Sequence, residues 1–418
     1  MIHYFNPGHE TAVLNASRHY HQPAHVAKMQ SDLAFLPAWY ASDGDFIFME
    51  TSLPDDFRLS CQSFNLQTCS VTPADFIENR EKFQYSSIDL WGISPKGVHF
   101  FEKLNEQYDL SLTIPQWNEK FRFWGSRFAS QKLLSGLLEQ MPELDQTILP
   151  RFVSNITEIE QQIIESKDRL LIKSPYSSSG RGLIWLPPEK LAQSEKQILS
   201  GMLKKQKQVS IEKVLDKRLD FSMHFENTID GETQFIGYSI FRTNAKGAYE
   251  KSRIARQERL EKEITNKIDE ELLLQTRMAL TGMIKEMYAP SYAGKIGVDM
   301  MIYQSGNSLH LHPCVEVNMR KSMGYLAIRF AENYLHTGSQ GEFFIDYNSD
   351  PKITIQKHKL LQTQYPLIIE KDKLSSGYFS LCPVTDTISY HAYIIVARKR
   401  ADSAVRLGIK KTERCRKR

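Results

Sequence analysis

The 418 residues read as a mixed α/β (α+β) chain, and three stretches predict that class. At the start, the apolar residues 2–5 form a strand that runs into Asn6-Pro-Gly-His-Glu10 and then a helix, a strand–turn–helix opening that places its loop at the carboxyl edge of a sheet. In the middle, apolar runs at 170–172 and 183–186 flank a serine-glycine loop, which reads as strand, loop, strand. Further on, Gly297-Val-Asp-Met-Met-Ile-Tyr303 and Leu309-His-Leu-His-Pro-Cys-Val-Glu-Val-Asn-Met-Arg320 read as two strands joined by a turn at 304–308.

Composition bounds the rest. A chain of 418 residues predicts two or three domains with ample material for a core. Its 41% hydrophobic and 24% charged content is ordinary for a globular protein. No apolar run approaches the roughly 18 residues that span a membrane, and the first residues lack the basic start and apolar centre of a signal peptide. Five cysteines (61, 69, 314, 382 and 415) are odd in number and show no zinc spacing. Free thiols in a reducing cytoplasm are the expectation. Residues 398–418 hold ten Lys/Arg against two acids, a net +8 beside +4 for the whole chain. The body is therefore slightly acidic, which argues against a nucleic-acid-coating protein, and the basic end reads as a solvated tail.

Taken in order, residues 46–49 and 88–93 are expected as further parallel strands of the first domain. His9 and Glu10 are candidates for contact with a substrate, although a turn made by Pro7-Gly8 and capped by His9 is the plainer reading. His19, His21 and His25 lack a Cys or acid to complete a metal set and read as surface histidines. A helix starting near Ser126 shows Phe128, Leu133, Leu134 and Leu137 as its apolar side. In Lys173-Ser-Pro-Tyr-Ser-Ser-Ser-Gly-Arg-Gly182, small residues let backbone N–H groups turn towards an anion, and Lys173 and Arg181 add positive charge. Ser178, Ser179, Gly180 and Gly182 belong to that loop. It suits a nucleoside triphosphate, yet it lacks the lysine-serine ending of a Walker loop and fails the dinucleotide fingerprint.

Residues 235–242 are expected as a strand, and 243–254 as a mobile polar loop whose Arg242, Lys246 and Arg253 are candidates for reading an anionic substrate or are simply solvated. Ile264, Ile268, Leu272, Ala279 and Met283 recur at helical spacing and predict one long helix ending before Pro290. Glu316 and Asn318 are two apart, so they share a strand face. If the hairpin closes around Asn307, Asp299 lies across from residues 314–316, and three hard oxygen donors converge as Mg²⁺ beside phosphates requires. Arg320 follows at even spacing. Residues 353–355, 367–369 and 388–396 read as later strands.

A phosphate loop followed at a distance by Asp and Glu-x-Asn resembles the ATP-grasp superfamily. Val209-Ser-Ile-Glu-Lys-Val-Leu-Asp-Lys-Arg-Leu-Asp220 is similar to its hinge strand, and Ile148-Leu-Pro-Arg-Phe152 to the strand entering its first subdomain. The resemblance covers residues 115–330. It implies an ATP-grasp fold: a Rossmann-like pre-ATP-grasp domain at 1–115, subdomains at 116–208 and 209–335 that sandwich the nucleotide, and a C-terminal accessory segment at 336–418. It further implies that Glu212, Lys213 and Leu215 contact adenine and Asp220 the ribose. Lys173 would hold phosphates, and Asp299, Glu316 and Asn318 would hold Mg²⁺, with Mn²⁺ an alternative. Where the family opens its helix with Asp-Lys, this chain has Ser126-Arg127, so Arg127 brings a planar fork in place of a point charge. Arg320, with Lys321 and Arg253 as helpers, would steady the transferred phosphoryl group. The implied activity is ATP-dependent ligation of a small carboxylate to an amine through an acyl phosphate. A silent nucleotide-binding protein and a small-molecule kinase stay open, as does a homodimer.

Overall fold

Strands of three residues alternate with helices through residues 1–115, and the alternation builds a parallel sheet. The computed structural model describes residues 1–166, 168–177, 182–186, 189–244 and 247–398. Strands β1 (Ile2–Tyr4), β2 (Phe46–Phe48), β3 (Cys69–Val71) and β4 (Ile88–Leu90) lie in the order β3-β2-β1-β4, every neighbour parallel. The order reverses between β1 and β4, and the carboxyl ends at such a reversal are where α/β sheets bind ligands. The two loops there are joined: Asn6 Nδ2 donates to Gly92 O (2.7 Å) and Gly92 N–H donates to Asn6 Oδ1 (3.2 Å). β3 goes beyond expectation, because Cys69-Ser-Val71 is too short and polar to stand out.

Two antiparallel sheets follow. β5 (Arg151–Val153), β6 (Leu170–Lys173), β7 (Leu183–Trp185) and β8 (Val209–Lys213) form one in the order β5-β8-β6-β7. Helices Ile156–Glu165 and Gln193–Gln206 bury Ile159, Ile163, Leu199 and Leu203 against it. The other has nine strands. β9 (Asp216–Asn227), β10 (Thr233–Thr243), β11 (Tyr249–Ile254), β12 (Gly294–Ser305), β13 (Ser308–Asn318), β14 (Ser339–Tyr347), β15 (Ile368–Glu370), β16 (Lys373–Ser380) and β17 (Tyr390–Arg398) run β13-β12-β9-β10-β11-β14-β17-β16-β15. A parallel α/β domain ahead of two antiparallel α+β sheets is the architecture the resemblance implied.

Four expectations are corrected. The supposed mobile loop at 243–254 is a strand over Tyr249–Ile254, because Ser252 and Ile254 turn inward and the backbone pairs with both β10 and β14. The long helix is two, Gln257–Thr265 and Glu270–Met287. Asp269 caps the second by accepting from Glu271 N–H (2.9 Å), while Ile268 stays buried in the gap, so the apolar spacing survives the break. Residues 353–355 belong to helix Pro351–Gln364, which Asp350 caps and which buries Thr354 and Leu361. Finally, β13 ends at Asn318, short of Arg320.

The strands after residue 336 continue the nine-stranded sheet, and one core joins them to the first domain. Trp39 is fully buried among Phe64, Phe330 and Phe379, and its Nε1–H donates to Leu381 O (2.8 Å). Residues 399–418, the basic tail, lie outside the described residues.

Candidate active site

A cleft of about 540 Å³ opens where the three sheets meet, and most of the sequence-derived candidates line it. The hairpin β12–β13 closes with Ser305 opposite Ser308 and brings Asp299 directly across from Glu316. Asn318 lies opposite Gly297, and its Nδ2 donates to Asp299 Oδ2 (3.0 Å), leaving its carbonyl oxygen for another partner. Ser222 on β9 donates to Asp299 Oδ1 (2.6 Å). Burial, then the nearby Glu316 carboxylate, push Asp299 up to about 6. Two carboxylates crowded in a buried place call for a cation. The set fits Mg²⁺, which binds through one or two carboxylates and completes its shell with phosphates and water. It holds two acids and an amide, and among the described residues no three His, Cys, Asp or Glu side chains are grouped to hold an ion.

On the facing sheet, Lys173 ends β6 with only 7% of its surface exposed and pairs with Glu212 of β8. Burial opposes the charge on Glu212, but Lys173 and then Arg127 outweigh it and hold the carboxyl below its ordinary range. Arg127 opens helix Arg127–Gln140 and ties the two walls together: Nε–H donates to Ser174 O (3.2 Å) and Nη2–H to Glu316 Oε2 (2.9 Å). Gly182 returns the loop to the sheet with φ +77°, and its carbonyl accepts from Ser174 N–H (3.0 Å). A Cβ there would stand 2.8 Å from Ser174 Oγ, so the position requires glycine. Ser178, Ser179, Gly180, Arg181 and Lys246 lie outside the described residues.

The hinge candidates Glu212, Lys213, Leu215 and Asp220 all line the cleft. Lys213 also reaches Asp168 (3.1 Å) at the surface, and Asp220, raised by burial, is held by Lys217. Leu171, Ile148 and Met301 add apolar surface, the composition of a small-molecule pocket.

Arg320 lines the cleft although its strand has ended. A tight turn, Arg320 N–H to Asn318 O (2.9 Å), carries it round, and its Nε–H donates to Glu10 Oε1 (2.6 Å), 310 residues away. Glu10 is itself backed by His9 (3.3 Å). Burial opposes ionisation of Glu10, yet Arg320 and His9 hold its carboxyl well below the usual range. The other two helpers are elsewhere. Lys321 donates Nζ–H to Asp89 Oδ1 (2.5 Å) and Leu90 O (3.0 Å), spending its charge on the first domain. Arg253 faces Glu263 (3.8 Å) and Gln340 (3.5 Å) across the outer part of the sheet. Neither is among the lining residues.

Several lining residues had no place in the sequence reading: Ser222, Trp185 and His312. Ser222 had a signal, since it stands two residues after Asp220 on one strand face. His312 is buried, and burial, then Lys173, lower it to about 4, so it is neutral near pH 7. Its place had no local signal. His19, His21 and His25 are exposed as expected, and His19 packs edge-on against His99 (5.3 Å).

No protein-family model and no curated protein matches the sequence. Solved structures similar to this chain include N5-carboxyaminoimidazole synthetase from Staphylococcus aureus complexed with ADP, 12% identical over 94% of this chain and 92% of that one, with a TM-score of 0.46. The biotin carboxylase–β,γ-ATP complex from Campylobacter jejuni is 10% identical over 96% and 88% of the two chains (TM-score 0.46). The biotin carboxylase domain of Hydrogenobacter thermophilus 2-oxoglutarate carboxylase, with MgADP, ADP and bicarbonate, is 11% identical over 94% and 85% (TM-score 0.47). No helix among the described residues is long and apolar enough to cross a membrane.

Proposed function

We propose that the chain is an ATP-dependent carboxylate–amine ligase of the ATP-grasp kind. One observation carries the reading: a single cleft sets the Asp299–Glu316–Asn318 donors against the Lys173–Glu212 wall, with Arg320 in the turn just past the same strand. Mg²⁺, or Mn²⁺, held by Asp299, Glu316 and Asn318 would neutralise the phosphates of the nucleotide. Adenine would lie along Glu212, Lys213 and Leu215 with the ribose at Asp220. Lys173 anchors the phosphates, while Arg127 keeps Glu316 oriented through its guanidinium.

A carboxylate is a poor acyl donor because its leaving oxygen is anionic. The carboxylate oxygen attacks the γ-phosphorus, the bond to ADP breaks, and an acyl phosphate results. The amine then attacks the acyl carbon, phosphate leaves, and the amine loses a proton. Positioning and charge stabilisation are the protein's share, so no Ser-His or Cys-His pair is needed. Arg320, held from behind by Glu10, would steady the transferring phosphoryl group and the anionic carboxylate that receives it.

The test supplies ATP, Mg²⁺, a broad pool of carboxylates and hydroxylamine. ADP, phosphate and a hydroxamate should appear together, and Glu316→Gln should abolish all three while the fold persists. A stable phosphorylated alcohol or amine without free phosphate would instead mark a kinase. Nucleotide binding without any product would mark a silent binding protein.

A further inference from the structure

Resting on that ligase reading, we propose that the carboxylate substrate is a small monocarboxylic acid with an apolar body. Its acid group would sit at Arg320, and its body against the first domain. The wall that domain contributes is made at the β1/β4 crevice and by helix Ala24–Asp32: Gly8, Val26, Met29 and Trp91 all line the cleft. Val26 packs on Gly8 so closely that a Cβ on the glycine would stand 2.4 Å from it. Trp91 is held beside the end of the metal strand, its carbonyl accepting from Lys321 N–H (3.0 Å). Met323 closes this apolar wall from the other side.

Among the described residues, charge at this end is sparse: Lys321 is bound to Asp89 and Arg253 faces Glu263, neither lines the cleft, and Arg320 does. Arg320 uses Nε on Glu10 and Nη1 on the Lys321 carbonyl (3.0 Å), which leaves Nη2. Beside it, the first turn of helix Met323–Tyr334 gives Ser322, Met323 and Gly324 to the lining, and a helix start favours a carboxylate. Glu10 stands on the same wall as a permanent anion. One carboxylate is therefore accommodated, and a second anionic group would meet Glu10, apolar side chains or the uncharged hydroxyl of Thr11, none of which supplies the positive charge that would compensate its lost hydration. Dicarboxylates, phosphorylated sugars and bicarbonate lack the matching shape or charge.

The full chain with ATP, Mg²⁺ and hydroxylamine should form hydroxamates from hexanoate, 4-methylpentanoate or phenylacetate, with KM values about tenfold or more below those for adipate, succinate and glutamate, the worth of one misplaced charge. Calorimetry with a nonhydrolysable ATP analogue and Mg²⁺ should register the same ranking without turnover. Met29→Lys, which adds a cation to the apolar wall, should shift preference from hexanoate towards adipate by about tenfold. Turnover of succinate, glutamate or bicarbonate in preference to the apolar acids would overturn the proposal, as would absence of binding by all three apolar acids. Apolar acids that bind the complex while no acid yields ADP would leave this pocket assignment standing and remove the ligase reading instead.

Discussion

Lys173 and Glu212 compensate each other in a buried place, which makes the effect of losing either one predictable. Lys173→Ala leaves Glu212 with Ser210 Oγ–H (3.1 Å) and the field of Arg127, and breaking a buried pair costs about 3 kcal/mol, the low end because those two remain. It should also cut ATP affinity roughly tenfold to a hundredfold through lost charge-assisted contacts. Adding Glu212→Gln should restore most of the melting temperature but none of the lysine's share of affinity. If calorimetry finds unchanged ATP affinity in a folded Lys173→Ala variant, the phosphate assignment is wrong. Asp299 gives a pH prediction of definite sign. Burial, then Glu316, raise its carboxyl from 3.8 to about 6, so the folded chain holds that proton more tightly than the unfolded one. The associated stability is fully present below 3.8 and is lost as pH rises through about 6. Without ligand, Asp299→Asn should flatten this part of the stability–pH curve. Binding of Mg²⁺ with ADP needs the carboxylate, so it should weaken below about pH 6 and release a proton there, seen as a buffer-dependent binding enthalpy.

At the scale of elements, helix Met323–Tyr334 decides how Arg320 and the apolar wall are presented. Ser322 caps it by accepting from Tyr325 N–H (3.2 Å), and Gly324 lets its first turn press onto the sheet. A Cβ at Gly324 would come within 2.3 Å of Ser239 Oγ and 2.6 Å of His224 Nε2, two buried groups already joined to each other at 2.9 Å. Gly324→Ala should therefore cost about 1–3 kcal/mol by overpacking. Because the displaced turn carries part of the cleft wall, KM for the carboxylate should rise in the same variant. A thermal melt equal to the parent's would show that this contact yields freely.

Across the whole molecule, the first domain is fastened to the cleft through Lys321. Its backbone donates to Trp91 O and its side chain to Asp89, whose other oxygen meets His3 Nδ1 (2.5 Å), and His3 Nε2 meets Asp45 (2.9 Å). Burial opposes the charge on Asp89, yet Lys321 and His3 hold its carboxyl well below its ordinary range. Lys321→Met should lower stability by about 3 kcal/mol, the low end for a buried pair because Asp89 keeps His3. Urea unfolding would measure it, and Asp89→Asn in the same chain should return part of the loss. A Lys321→Met protein as stable as the parent would show that the apolar core around Trp39 alone holds the domains.

Local pattern alone was enough for the hairpin: apolar alternation and a turn around Asn307 put Asp299 across from residues 314–316 before any packing was known, and the observed register selects Glu316. The helix opening at Arg127, the strand ending in Lys173 and the parallel opening domain were legible for the same reason, since period and punctuation are properties of neighbours in sequence. Partners were not. Nothing near Arg320 announces Glu10, and nothing near Lys321 announces Asp89, because those pairs depend on how separate elements close on one another. The strand at Tyr249–Ile254 looked like a polar loop because pairing on both sides satisfies its backbone without requiring apolar side chains along it. Residues 353–355 looked like a strand because three β-branched side chains in four outweigh, locally, a cap that lies three residues earlier. Sequence determined which side chains could do chemistry; only the tertiary structure decided which charges are turned away to hold domains together, as Lys321 is on Asp89, and which face the cleft, as Arg320 does, because those pairings depend on how distant elements close on one another.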